Sequence, residues 1–282
     1  MKIGKYEINY IQTGFFALDG GSMFGVVPKP LWEKTNKPDD KNRITLGARC
    51  LYLKSDSKKI LIDTGIGSDW NDKFNKIYKV EESNPDIINA LVAKDINPAE
   101  ITDVILTHLH FDHTGGSTYF DGNKFVPTFP NAKYHVQQDH FDWAKHPSEK
   151  DRASFVEDRF MPLAEEGILH LLHDEFQFDD EIEFIIINGH TFAQQMIKIS
   201  DSSETLLYCA DLMPMHSHIP VPYVMGYDLQ PLVTIKEKKE ILPQAVEGNW
   251  KIIFEHDPEF AAATIQKTDK GFSVKEKYKE LI

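Results

Sequence analysis

Cysteine is scarce: the 282-residue chain has two, Cys50 and Cys209. That leaves no room for a disulfide framework or a cysteine zinc site. Each lies in an apolar, strand-like run, so both read as buried core thiols. Positive charge is also short, with 31 Lys and Arg against 44 Asp and Glu and a formal net charge of −13. Such a balance argues against nucleic acid or an anionic membrane as partner, although an acidic chain can still carry a locally positive cleft once metal ions are bound. No apolar run is long enough to span a bilayer, and Met1-Lys2-Ile3-Gly4-Lys5-Tyr6 lacks the apolar core of a signal peptide, so the expected location is the cytoplasm. Linker-like stretches are missing too. With 41% hydrophobic and 11% aromatic residues, the chain has enough apolar material for one large domain over residues 1–282.

What is present is a dense set of metal-capable side chains in Thr107-His108-Leu109-His110-Phe111-Asp112-His113-Thr114-Gly115-Gly116. Val104, Ile105 and Leu106 bring the chain in as a buried strand, and the two glycines free it to turn. At a strand end, side chains two apart point the same way, so His108 and His110 can grip one ion. Asp112 and His113 then swing toward a point a few Å beyond. Imidazoles with a carboxylate suit zinc, iron, cobalt or manganese better than calcium or magnesium, which prefer all-oxygen shells.

The rest of the chain alternates strands and helices. Strands are expected over Tyr6 to Phe16, Ala48 to Leu53, Lys59 to Ile62, Ile101 to Leu106 and Lys133 to Val136. Helices are expected after Pro85, over Gln138 to His146 and over Arg152 to Leu163. From Ile168 the pattern returns to strands, with Thr234 to Val246 as a helix and a terminal hairpin around Asp269-Lys270-Gly271. Three later strands run into candidate ligands: Glu183 to Ile187 into His190, Leu206 to Ala210 into Asp211, and Trp250 to Glu255 into His256. That is the placement of His108 repeated. Asp63, at the end of the Lys59 to Ile62 strand, is placed to hold a ligating imidazole by its second N–H. His135, His140 and His146 lack partners at ligand spacing and read as non-ligands. The Pro-rich run from Met213 to Asp228 reads as a pocket wall.

Five histidines and two aspartates are too many for one tetrahedral zinc. They divide into His108, His110 and His190 on one metal and Asp112, His113 and His256 on a second, with Asp211 bridging, the spacing that two-metal hydrolases use.

The run His108-x-His110-x-Asp112-His113, then Gly189-His190-Thr191, Asp211 and His256, with Asp63-Thr64-Gly65 upstream, resembles the metallo-β-lactamase superfamily along nearly the whole chain. The resemblance implies an α/β (α+β) fold, a four-layer αβ/βα sandwich of two mixed sheets flanked by helices, with the site along the sandwich edge. It also implies two divalent metal ions, zinc first among zinc, iron, cobalt and manganese. Leu18-Asp19-Gly20-Gly21, Asn42-Arg43 and the Pro-Val-Pro-Tyr loop look most like the quorum-quenching N-acyl-homoserine lactonases of bacilli. The implied activity is hydrolytic opening of the lactone by a hydroxide between the metals, with Asp112 shuttling the proton. Phe24, Met213, Ile219 and Val221 are then candidates to receive an acyl chain. Two departures stand out. The usual Gly-His-Thr-Pro-Gly-His reads Gly189-His190-Thr191-Phe192-Ala193-Gln194, and the tyrosine that some lactonases place three residues after the bridging aspartate is Pro214. Tyr223, Tyr227 or His218 would have to supply its carbonyl donor. The implied partner is a small lactone or ester, with no nucleic acid, no membrane and homodimer formation left open. Rival readings are a phosphotriester or phosphodiester hydrolase on the same site, a thioester hydrolase like glyoxalase II, and an iron-dependent oxidoreductase like the persulfide dioxygenases.

Overall fold

Two mixed sheets dominate the computed structural model, which describes residues 1–173 and 177–281. The first has seven strands in the order Lys2–Ile3, Tyr6–Asp19, Arg43–Lys54, Lys59–Ile62, Asp103–Ile105, Lys133–Gln137 and Leu169–Leu172. The second has six, Ile182–Ile187, Gln194–Ser200, Thr205–Tyr208, Lys251–Ile253, Ala262–Thr268 and Gly271–Tyr278. Their facing sides share one apolar core. Tyr6, Ile8, Leu51, Leu53 and Ile60 from the first sheet meet Phe184, Ile197, Ile199, Leu206 and Tyr208 from the second. The outer face of the first sheet packs on the helices Ile87–Val92 and Gln138–Lys145, and that of the second on Pro231–Glu247. This is the four-layer αβ/βα sandwich. It follows from strands buried on both faces, which read as near-continuous apolar runs such as Leu51-Tyr52-Leu53. No helix among the described residues is long and apolar enough to cross a membrane.

Strand direction aligns the site. Lys59–Ile62 and Asp103–Ile105 run parallel with Ile62 opposite Ile105. In the other sheet Thr205–Tyr208 and Lys251–Ile253 run parallel with Tyr208 opposite Ile253. His108, His190, Asp211 and His256 each lie three residues past the last residue of their strands, Ile105, Ile187, Tyr208 and Ile253.

One expected element is absent. Arg152 to Leu163 is not a continuous helix; it forms turns, the 3-10 turn Glu157–Arg159 and the short helix Met161–Glu165. Pro162 has no N–H to continue a helix from the preceding turn. Phe155 instead bridges to His110, and Ser154 accepts from Phe111 N at 2.9 Å, so the segment braces the histidine-rich turn. Asp19 caps the short helix Gly20–Phe24, its side chain accepting from Ser22 N at 2.8 Å. Cys50 and Cys209 are free, buried thiols.

Behind the histidine-rich turn two backbones touch. Gly67, at φ +70°, lies against Gly115, and a Cβ on Gly115 would overlap the carbonyl of Ile66. Replacing Gly115 by alanine is expected to destabilise the fold by roughly 3 kcal/mol, because backbone cannot yield as a side chain does. Thermal unfolding of Gly115→Ala against the parent checks this, and an unchanged midpoint would refute it.

Candidate metal centre

The strand ends deliver seven side chains to one end of the sandwich. His108, His110, His190 and Asp211 form one group whose ligand atoms lie within 4.8 Å of one another, and Asp112, His113 and His256 form a second. All are buried. Asp211 stands between them, with Oδ2 3.1 Å from His190 Nε2 and Oδ1 3.3 Å from His256 Nε2. The grouping is the one expected from spacing.

The donor set fits a metal. His108 Nε2 and His110 Nδ1 are 3.1 Å apart, His110 Nδ1 and His190 Nε2 3.2 Å, and His113 Nε2 and His256 Nε2 3.2 Å. Two nitrogens on a tetrahedral zinc at its usual bond length are about 3.3 Å apart. The other ring nitrogens show which way the lone pairs face. His190 Nδ1 meets Asp228 Oδ1 at 3.0 Å, His256 Nδ1 meets Gly47 O at 2.9 Å, and His113 Nδ1 meets Asp63 Oδ2 at 3.1 Å. Carboxylates and carbonyls only accept, so these Nδ1 atoms carry hydrogen and each Nε2 is the atom turned to its cluster, where a metal would take its lone pair. His108 Nδ1 has Thr107 Oγ1 at 3.1 Å, whose own hydrogen goes to Asp63 Oδ2 at 2.7 Å.

Electrostatics demand positive charge here. Asp63, Asp112, Asp211 and Glu255 are buried together, and among the described residues no ion pair joins any of them to lysine or arginine. Their partners are imidazoles. Burial and the neighbouring His113 and His110 push His108 well below the ordinary histidine range, and His110 falls likewise under burial and His190. Burial opposes the charged form of His256, yet Asp211 lifts it to about 9. Against burial, His190 and His256 hold Asp211 well below the usual carboxylate range. Cations would meet the same demand.

Asp63 sits where a holder of His113 should, and it also accepts from Thr107 N at 2.7 Å. The histidines read as non-ligands lie outside the clusters. His135 Nε2 contacts Asp103 Oδ1 at 2.8 Å, and His140 accepts from Leu109 N at 2.8 Å and donates from Nδ1 to Phe192 O at 2.6 Å.

The expected substrate residues fare differently. A cavity of about 240 Å³ opens onto His110, Asp112, His190, Asp211 and His256, and of the seven residues expected to meet substrate it is lined by Tyr227 alone. Phe24 is fully buried, stacked between Trp32 and His218 with centroids 5.4 and 4.7 Å away. His218 donates to Met23 O at 2.8 Å, and Tyr223 packs edge-on to Phe24. Met213 and Ile219 are buried in the core under the helix Pro231–Glu247, with Val221 packed against it. The apolar wall is instead made by Leu18, Met23, Leu46, Phe111 and Met225, with Tyr78 beside them.

Sequence reasoning passed over several neighbours. Glu255 Oε2 stands 2.9 Å from His113 Nδ1, with its carboxyl pushed up to about 8 by burial and by Asp63. Its position directly before His256 was the available signal. Asp228, which holds His190, closes the Pro-rich run. Lys150 at the cavity gives its Nζ to Tyr227 O at 2.8 Å and Asp228 O at 2.7 Å. Nothing local in the sequence marks it.

Comparison with known proteins adds a family to this geometry. The chain is 23% identical to the N-acyl homoserine lactonase AttM of Rhizobium johnstonii over 209 residues, which is 72% of this chain and 76% of that protein. A solved structure of a probable metal-dependent hydrolase from Staphylococcus aureus superposes with a TM-score of 0.89 at 29% identity, covering 99% of this chain and 98% of the other. AidC, a dizinc quorum-quenching lactonase in complex with the product N-hexanoyl-L-homoserine, matches with a TM-score of 0.80 at 21% identity, over 98% and 95%. The model of the metallo-beta-lactamase superfamily matches residues 44–256, from the long strand of the first sheet to the last histidine of the site, and the chain belongs to that superfamily of metal-dependent hydrolases.

Proposed function

We propose that the protein is a dinuclear hydrolase that opens the lactone ring of N-acyl homoserine lactones. The observation that carries this reading is the cavity. Both clusters face it, one wall is apolar, and its lysine is committed to backbone carbonyls. A pocket without a free cation suits a neutral ester with an apolar arm better than a phosphodiester. The lactonase names among the relatives point the same way.

His108, His110, His190, Asp112, His113 and His256 would hold two divalent cations, zinc first, with Asp211 shared. Bound there, the cations supply Lewis acidity for a carbonyl oxygen and lower the pKa of water toward about 7. The chain's own groups do the rest. Asp228, Asp63 and Gly47 O keep three imidazoles in one tautomer, so no reorganisation is needed during the reaction. Asp112, with Oδ2 3.7 Å from His256 Nε2 and its side chain at the cavity, takes the proton of the attacking water. It returns that proton to the ring oxygen as the acyl–oxygen bond breaks. Tyr227, the one candidate donor from the Pro-rich run that lines the cavity, would donate to the carbonyl. The apolar wall receives the acyl arm and keeps bulk water away.

Metal content per chain and hydrolysis of an acyl-homoserine lactone and a phosphotriester, measured on one preparation, test the reading. Two metals and lactone opening that chelator abolishes and added zinc restores are expected. A single iron with oxygen uptake on a persulfide and no lactone turnover would overturn it, and so would faster turnover of the phosphotriester.

A further inference from the structure

Lys238 lies on the helix Pro231–Glu247 and is wholly buried. Its Nζ donates to three carbonyls, His218 O at 2.5 Å, Pro220 O at 2.9 Å and Tyr223 O at 2.9 Å. An ammonium has three donors, and all three are spent on six residues of one loop. A charge taken out of water at such cost, with none of these bonds to its own helix, organises what it bonds to.

That loop is the back of the cavity wall. His218, whose carbonyl Lys238 holds, donates through its ring to Met23 O at 2.8 Å. Three residues after Tyr223, Gly226 N donates to Ser22 O at 2.7 Å. The Val224 carbonyl lies so close to Gly25 that a Cβ there would stand 2.8 Å from it. Ser22, Met23, Met225, Gly226 and Tyr227 all face the cavity. With one end of the loop held by Lys238, the other can close on the segment 22–25 in a single register. We propose that Lys238 is a positioning residue that sets the apolar wall, and through it the length of apolar arm the site accepts. This rests on the reading of the substrate as an ester with an apolar arm.

The test uses the metal-loaded protein and two hydroxamates, which grip divalent metals alike but differ in their arms. Calorimetry would compare decanohydroxamate with acetohydroxamate on the parent, Lys238→Met and Lys238→Arg, alongside metal content. The arginine variant keeps a buried cation but pushes the same carbonyls outward. Both variants are expected to weaken decanohydroxamate at least tenfold, with acetohydroxamate within twofold and metal content unchanged. Equal weakening of the two ligands, no change in either, a parent that binds both equally, or failure of both variants to fold would each overturn the proposal. Lactone kinetics on the parent keep the two readings apart: no lactone turnover with decanohydroxamate still preferred would sink the substrate and leave the role of Lys238 standing.

Discussion

Asp211→Asn is expected to lose hydrolysis and metal together. Asp211 sends one carboxylate oxygen to each cluster, Oδ2 3.1 Å from His190 and Oδ1 3.3 Å from His256. An amide presents one oxygen and a donor NH2 where two acceptor oxygens now stand. One cluster would face an N–H instead of a lone pair, and the site would lose one of its buried negative charges. A fall in kcat/KM on the order of 10³-fold or more corresponds to about 4 kcal/mol of lost transition-state stabilisation. Elemental analysis should find the metal content reduced from two per chain, and steady-state lactone hydrolysis should fall with it. A variant that kept two metals and most of its rate would show that Asp211 is not shared, and the dinuclear reading would fail with it.

The second large effect comes from a residue that touches no cluster. Arg49 is buried, its Nη1 donating to Phe254 O and to Phe260 O at 3.3 Å and its Nη2 to Asp257 O at 3.0 Å. It pins the loop that carries His256 onto the first sheet. The neighbouring backbone completes the clamp: Gly47 N donates to His256 O at 2.9 Å and Arg49 N to Glu255 O at 3.1 Å. Arg49→Met keeps the stem's volume but leaves three carbonyls without their donor. At about 1 to 3 kcal/mol for each buried group left unpaired, partly relieved by relaxation, a loss of roughly 3 kcal/mol in unfolding free energy is expected. Urea titration reads it as a lower midpoint at unchanged slope. Because the freed loop bears His256, the variant should also lose first whatever metal Asp112, His113 and His256 would hold. A variant as stable as the parent with normal metal content would make the clamp redundant.

Much of the site was legible because its chemistry is local. His108 to His113 sit within six residues, and His190, Asp211 and His256 each follow an apolar strand. Strands that end in ligands are readable one at a time. The grouping into two clusters was legible as well, since five imidazoles and two carboxylates exceed one tetrahedral shell. Contacts made only by the closed fold were not. Lys150 reaches Tyr227 and Asp228 across 77 and 78 residues, and no pattern near Lys150 records it. Of the residues expected to meet substrate, Tyr227 lines the cavity, and the apolar ones lie elsewhere for a related reason. An apolar side chain in a Pro-broken loop looks the same whether it lines a cavity or fills the space under the loop, and Phe24, Met213 and Ile219 fill it. The helix expected from Arg152 failed because Phe155 found a strand-like partner in His110, a tertiary bond that local propensity cannot foresee.

The division of the ligands between the two sheets has a mechanical consequence. His108, His110, Asp112 and His113 follow strands of the first sheet, and His190, Asp211 and His256 follow strands of the second. Neither sheet alone can complete either cluster, so each cation would be a cross-link between the two halves of the sandwich. Like a disulfide between distant segments, it would hold only when the halves are docked and would resist their separation. Free metal at a hundred times its dissociation constant adds about 2.7 kcal/mol to the folded state for each such site. A chain that loses its metal would therefore lose its grip between layers as well as its chemistry, and its abundance in a metal-starved cell would fall with its activity.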